Sequence, residues 1–285
     1  MCELFGLSAS RAIALQAPLE AFRLRGGHSA DNPDGWGIAY RNGDTFAVSK
    51  EPLAAARSPL LAQLALTLRS DLVIAHVRKA NPPTPAVPAN THPFVRECCG
   101  RQWVFAHNGK VPEVVEPQGC CHPQRSRPLG ETDSEHAFYF LLDEIAAVFG
   151  SVLGSAPPDW LGRLAALSAD VAAYGQFNFL MSDGEHLIAY GHDRLHWLPH
   201  VTRGYRSVML ASAPLTADRR WAPVAPGTLL VYRNGEQLAE LRAPAAALAS
   251  IPAARTPSDA ERAGATHARC SAGQDAATAC APRLG

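Results

Sequence analysis

An α+β fold with antiparallel sheets is predicted from two patterns. Turn signals place hairpins at three points along the chain, and helical segments are grouped between those hairpins instead of alternating with single strands. Residues 36–41 and 45–49 flank Asn42-Gly43, which suits a type I′ turn because both central residues of that turn need positive φ. Residues 177–181 and 186–190 flank Ser182-Asp183-Gly184, and residues 228–232 and 237–241 flank Asn234-Gly235. Single strands are expected over 72–77, 102–106 and 207–211. Leu53, Leu60, Leu61, Leu64 and Leu68 fall on one face of a helix, as do Phe138, Leu141, Leu142, Ile145 and Phe149. The second of these helices has a start signal, because Thr132-Asp133-Ser134-Glu135 fits the S/T-x-x-E capping box. A third helix is predicted over 160–167. There is no internal repeat.

Between these elements, residues 81–88 carry four prolines and are expected to form an irregular loop. Residues 112–128 contain Pro, Gly and Cys and are expected to be a surface loop. From Ala243 the chain is rich in Ala, Pro, Ser and Thr and has no aromatic residue, which predicts a poorly ordered tail. The expected division is therefore one domain over 2–242 and a tail over 243–285.

The composition narrows the function. With 26 basic and 26 acidic residues among 285, the net charge is zero, which offers no general attraction to nucleic acid or to an anionic membrane. At 47% hydrophobic and 18% charged the chain is of ordinary globular type. No apolar run approaches the ~18 residues of a membrane span. Glu3 follows the start with no basic leader, so no export signal is expected. The seven cysteines are odd in number, and Cys98-Cys99 and Cys120-Cys121 are adjacent pairs, a poor spacing for a disulfide framework. A cytoplasmic protein with mostly reduced thiols is expected.

No G-x-S-x-G elbow, H-E-x-x-H, P-loop or G-x-G-x-x-G occurs, and Gly35-Trp36-Gly37 is not followed by a helical pattern, so no cofactor is expected. A zinc site built from Cys98, Cys99, Cys120, Cys121 and His122 is disfavoured, because adjacent cysteines do not reach one tetrahedral ion as C-x2-C pairs do.

Four features could carry chemistry. If Met1 is removed, the Cys2 thiol and an α-amine share one residue. With a pKa of about 7.7–8.0, that amine can serve as the base for the thiol without a histidine. His107-Asn108-Gly109 follows a predicted strand, where the Asn108 amide and the next backbone N–H could both donate to one oxygen, as an oxyanion hole requires. Arg78 ends another strand, and its fork can hold a carboxylate. Asp133 stands in the first turn of the capped helix. Each also has a structural explanation: a small residue starting a buried strand, an Asn-Gly turn, a surface arginine, a helix-dipole acid. Taken together, Arg78 and Asp133 offer opposite charges to the two ends of a free α-amino acid.

Met1-Cys2-Glu3-Leu4-Phe5-Gly6, Asp34-Gly35-Trp36-Gly37, Ala75-His76-Val77-Arg78, Asn90-Thr91-His92-Pro93-Phe94, Phe105-Ala106-His107-Asn108-Gly109 and Thr132-Asp133-Ser134-Glu135 occur in that order. This series resembles the class II (N-terminal nucleophile, Ntn) glutamine amidotransferase domain, and is most similar to its stand-alone YafJ-like branch. The resemblance implies a four-layer αββα Ntn-hydrolase sandwich. It also implies that Cys2 attacks the γ-amide of glutamine to form a γ-glutamyl thioester and release ammonia. Asn108 and Gly109 would hold the oxyanion, Arg78 the substrate α-carboxylate and Asp133 its α-ammonium.

Where relatives often continue with an Ala-Thr run after the arginine, this chain reads Lys79-Ala80-Asn81-Pro82-Pro83. Two activities are therefore expected to compete: a glutaminase serving a separate ammonia-accepting synthase subunit, and a hydrolase of another γ-glutamyl peptide or conjugate. A non-enzymatic metal-binding or scaffold protein is the third alternative.

Overall fold

Alternate residues of the central strands are apolar on both sides, so each strand can be covered on two faces. In β1 (Glu3–Ala14), Phe5, Leu7 and Ala9 pack on one side while Leu4 packs on the other. The computed structural model describes residues 1–80, 84–111, 128–150 and 159–242. After β1 come α1 (Gln16–Leu24), β2 (Trp36–Asn42), β3 (Thr45–Glu51), α2 (Pro59–Thr67), β4 (Arg69–Val77), β5 (Phe94–Cys98) and β6 (Arg101–Lys110). Then follow α3 (Asp133–Gly150), α4 (Trp160–Ala172), β7 (Gln176–Ser182), β8 (Leu187–Gly191), β9 (His196–Val201), β10 (Arg206–Ala211), β11 (Ala222–Pro223), β12 (Thr228–Arg233) and β13 (Glu236–Arg242).

Among the described residues the strands form two antiparallel sheets, ordered β11-β9-β10-β1-β4-β2-β3 and β13-β12-β8-β7-β6-β5. Three cores separate four layers. Phe5, Leu7, Val73 and Ala75 of the first sheet meet Leu19 and Phe22 of α1 and Leu61 and Ala65 of α2. Leu4, Leu72 and Ile74 face Val104, Ala106 and Leu180 between the sheets. Trp103, Phe105, Phe177 and Phe179 of the second sheet meet Phe138, Leu141 and Ile145 of α3 and Leu164 of α4. The predicted α+β architecture is thus present as a helix–sheet–sheet–helix sandwich.

The hairpins hold with one correction. Arg233 pairs with Glu236 around Asn234 (φ 52°) and Gly235 (φ 73°), the expected type I′ geometry. In the first hairpin Asn42 instead pairs with Thr45, so the turn is Gly43-Asp44. Of the turn residues only Gly43 has positive φ. Pairing continues one residue further than Asn42-Gly43 suggested, because the β2–β3 register runs unbroken from Trp36↔Glu51.

The helix expected from Leu53 to Leu68 is also shorter. Residues 55–57 form a 3-10 turn, and α2 starts afresh at Pro59 with Ser58 as its cap, Oγ accepting the Leu61 N–H at 3.0 Å. The capping box is realised on one side only. Thr132 Oγ1 accepts the Glu135 N–H at 3.2 Å, whereas the Glu135 carboxylate turns to Arg96 and to the Leu129 and Gly130 amides. The predicted 112–128 loop, except residue 128, and the predicted tail lie outside the described residues, as do residues 81–83 of the proline-rich loop.

Candidate active site

Strand pairing places the start of β1 beside the end of β4. Glu3 pairs with Val77 and Leu4 with His76, so Cys2 lies opposite Arg78. The half-buried Cys2 sulfur accepts the Lys79 N–H at 3.2 Å and lies 3.3 Å from the Lys79 carbonyl oxygen. Burial pushes the thiol above its ordinary pKa, while the Lys79 amide, the Met1 ammonium and Arg78 pull it back down. The net upward shift means that this sulfur needs a base before it can attack. Glu3, buried beside it, is ion-paired with Arg25, which anchors the first residues of β1 to the end of α1.

Arg78 is held by its neighbours' backbone. Its N–H donates to Gly35 O at 2.8 Å and its carbonyl accepts the Asp34 N–H at 3.1 Å, while Asp34 Oδ2 takes the Ala80 N–H at 2.8 Å. The guanidinium reaches only the Asp34 carbonyl oxygen, at 3.5 Å, and makes no salt bridge among the described residues although the residue is 4% exposed. Burial lowers its pKa. The Cys2 sulfur and the Asp34 carboxylate act against that shift, but a desolvated cation held in no salt bridge is still costly to the fold and suited to receiving an anion.

Asn108 arrives from the other sheet, near the end of β6. Its Nδ2 donates to Ser212 Oγ at 2.9 Å, and that same oxygen accepts the Leu4 N–H at 2.9 Å. Ser212 therefore ties the amide to β1, two residues from the nucleophile. Asn178 Nδ2 donates to the Asn108 carbonyl at 3.2 Å, while its Oδ1 accepts the N–H groups of His192, Asp193 and Arg194. One Asn108 N–H is thus committed to positioning, and the second remains to face an oxygen.

Gly109 has φ 155°, and a Cβ there would lie 1.8 Å from the Gln176 carbonyl oxygen and 2.7 Å from His107 Nε2. Only glycine lets β6 pass this point. Asp133 opens α3 and is bound on both oxygens, Oδ2 by the Val111 N–H and Oδ1 by the Ser134 N–H, each at 2.8 Å. This places its carboxylate two residues along from Gly109. The His107 ring spans the gap: Nε2 donates to Gln176 O at 3.0 Å, so Nδ1 accepts from Ser134 Oγ at 2.8 Å.

The structure thus brings Cys2 and Arg78 side by side, ties Asn108 to β1 through Ser212, and ties Asp133 to the Asn108-Gly109 strand through Val111. Ser212, Asn178 and Arg25 were not found from sequence, and Asp34 and Glu3 were quoted only within motifs. A polar residue in or beside a strand carries no local sign of a partner that lies tens to two hundred positions away. Gly37, quoted only within a motif, now has a reason: a Cβ there would be 2.1 Å from the His92 carbonyl oxygen, so glycine lets the Asn90–Phe94 segment cross β2. Among the described residues no group of three or more His, Cys, Asp or Glu could hold a metal ion. Cys120, Cys121 and His122 of the disfavoured zinc set lie outside those residues. No helix among the described residues is long and apolar enough to cross a membrane.

Comparison with known proteins agrees with this geometry. The family model for glutamine amidotransferases class-II matches residues 1–204. The YafJ protein of Escherichia coli (strain K12), named as a glutamine amidotransferase, is 30% identical over 84% of this chain and 100% of its own length. The gamma-glutamyl-hercynylcysteine sulfoxide hydrolase of Mycobacterium tuberculosis (strain ATCC 25618 / H37Rv) is 29% identical over 69% of this chain and 74% of its own. The crystal structure of a predicted glutamine amidotransferase from Pseudomonas aeruginosa PA01 superposes with a TM-score of 0.61 at 29% identity, covering 84% of this chain and 100% of that one. The chain belongs to the class II glutamine amidotransferase family.

Proposed function

We propose that Cys2, freed by removal of Met1, is the nucleophile of an amidohydrolase acting on the γ-amide of glutamine. The observation that carries this is the Cys2 sulfur seated on the Lys79 amide beside a buried Arg78 that makes no salt bridge among the described residues. Met1 is 57% exposed, which leaves it open to an aminopeptidase. The new α-amine takes the thiol proton, directly or through one water, and the sulfur attacks the amide carbon. Asn108 Nδ2 and the Gly109 N–H stabilise the oxyanion. The tetrahedral species collapses as the ammonium returns its proton to the leaving nitrogen, giving ammonia and a γ-glutamyl thioester. Water, deprotonated by the same amine, then releases glutamate and restores the thiol. Arg78 and Asp133 hold the α-carboxylate and α-ammonium, so binding energy is spent on orienting the amide.

Incubation of the mature protein with glutamine is expected to yield equal amounts of glutamate and ammonia. Cys2→Ala should reduce the rate by at least about a thousandfold. Activity surviving that change, or active material whose intact mass still includes Met1, would overturn the assignment.

A second substrate class has its own support. The Mycobacterium relative is named for hydrolysing a γ-glutamyl cysteine sulfoxide derivative, and Lys79-Ala80-Asn81-Pro82-Pro83 departs from the usual run beside the substrate's amino-acid end. On this version the site residues keep their roles and the leaving group is a larger amine. On the glutamine version the ammonia serves a separate synthase. Ranking kcat/KM across glutamine and a panel of γ-glutamyl amides and peptides decides between the two, with the highest value naming the substrate.

A further inference from the structure

Cys98 and Cys99 take no part in the chemistry above. Cys98 ends β5 and pairs with Arg101 of β6, so Cys99-Gly100 is a two-residue hairpin turn. Both turn residues have positive φ, 57° and 74°, a geometry for which Asn, Asp or Gly is the usual first residue and which an ordinary side chain rarely adopts. The two sulfurs lie 2.9 Å apart, well inside ordinary van der Waals separation. Cys99 is exposed and Cys98 half-buried, with the Cys98 carbonyl pinned by the Trp103 indole N–H at 3.0 Å. Gly100 and Arg101, but neither cysteine, line a neighbouring polar cavity of about 570 Å³. This turn lies at the opposite end of β6 from Asn108.

We propose that Cys98 and Cys99 form a reversible two-electron thiol–disulfide site that reacts with low-molecular-weight disulfides. The exposed Cys99, as thiolate, attacks one sulfur of a disulfide RSSR. The S–S bond breaks, and the mixed disulfide Cys99–SR and one thiolate RS⁻ result. Cys98 then attacks the Cys99 sulfur, forming the Cys98–Cys99 bond and expelling the second RS⁻. The two cysteine protons end on the two RS⁻ groups, so one RSSR is reduced to two RSH while the dithiol is oxidised to one disulfide. Adjacent Cα atoms are only about 3.8 Å apart, closer than most disulfides span, so the ring is strained and readily reduced again.

The test uses the full chain and oxidised glutathione as oxidant, followed by alkylation, trypsin and mass mapping. Cleavage after Arg96 and Arg101 isolates residues 97–101, which contain these two cysteines alone. Alkylation at both should fall together by at least about tenfold, with the peptide lighter by two hydrogens, and an excess of dithiothreitol should restore it. In Cys98→Ser, Cys99 should retain glutathione, and the variant's thermal midpoint checks that it is folded. Continued alkylation of both cysteines, glutathione left on the wild-type peptide, or a crosslink to any other cysteine would overturn the site. Absence of the adduct in a folded Cys98→Ser would overturn Cys99 as the attacking sulfur.

Discussion

The two ends of the sandwich treat charge in opposite ways. At the end where β1 begins and β4 stops, Arg78 is buried without a salt bridge among the described residues. His76 and His92 are buried there too, with ring centroids 4.2 Å apart. None of their four ring nitrogens reaches a hydrogen-bond partner at full geometry among the described residues, although the His107 backbone lies beside His76. At the far end, where the hairpin turns of β2, β6 and β7 gather, the buried Asp183 and the half-buried Arg41 and Asp71 have their counter-ions. Arg41 grips Asp71 with two bonds of 2.8 and 2.5 Å, and the fully buried Asp183 carboxylate takes Arg101, the His186 ring and the Glu185 and His186 amides. Charges that only hold the fold arrive paired. Under the proposed function, Arg78 is kept out of any salt bridge among the described residues for its substrate, and the histidines near it are kept neutral by burial.

The largest effect that would sharpen this contrast lies at the far end. Asp183→Ala removes the shared partner of a cation and two amides, and should lower the unfolding free energy by about 3–5 kcal/mol in urea titration. It should leave the kcat/KM of the surviving folded fraction unchanged. Arg78→Gln should do the reverse. Loss of the anion site should reduce kcat/KM by about 30–100-fold, mainly through KM, because a charged hydrogen-bonded partner is worth roughly 2–3 kcal/mol. Stability should stay within about 0.5 kcal/mol of the parent or rise, since an unpaired buried cation is removed. A large loss of stability in Arg78→Gln would break the comparison.

The smallest effect per step is in pH dependence. Burial holds His76 at a pKa of about 3 and pushes His92 and His107 below their ordinary value. Unfolded, each titrates near about 6.5. The unfolded chain therefore binds protons first, so this stability is complete above about pH 6.5 and erodes as pH falls, by up to about 1.4 kcal/mol per unit for each histidine. For Asp183 burial acts upward, but the His186 ring and the surrounding amides outweigh it and bring the pKa to about 2. Its contribution is present above about pH 3.9 and is lost only as pH falls toward 2. Between pH 6.5 and 4.5 the slope thus belongs to the end that holds His76 and His92. Denaturant midpoints measured across that window should be flatter by about one histidine's share in His92→Leu and unchanged in slope in Asp183→Ala. Equal slopes in parent and His92→Leu would contradict the assignment.

How much of this was legible beforehand depends on the range of the interaction. The Asn234-Gly235 turn and the Thr132 cap rest on contacts within a few residues, and both were readable as spacing. The helix over 160–167 was readable too, and continues to Ala172 with Asp159 as its cap, Oδ1 accepting the Gly162 N–H at 2.9 Å. α1 went unseen although Leu15, Leu19 and Phe22 share a face, because Leu15 caps it without a side-chain bond and so leaves no start signal in the sequence. β1 was equally hard to see, since a strand covered on both faces has no alternation to betray it.

The ordered motifs, the local turns and the residue types of the site were determined by the sequence alone, because each depends on neighbours in the chain or on side-chain chemistry that no fold can alter. Only the tertiary structure decided that Ser212 holds Asn108 against β1, that Lys79 offers its amide to Cys2, and that among the described residues Arg78 has no salt-bridge partner while Arg41 has one. Those facts concern which distant groups meet and which are taken out of water. Both are set by how the two sheets pack, not by the order of residues along either strand.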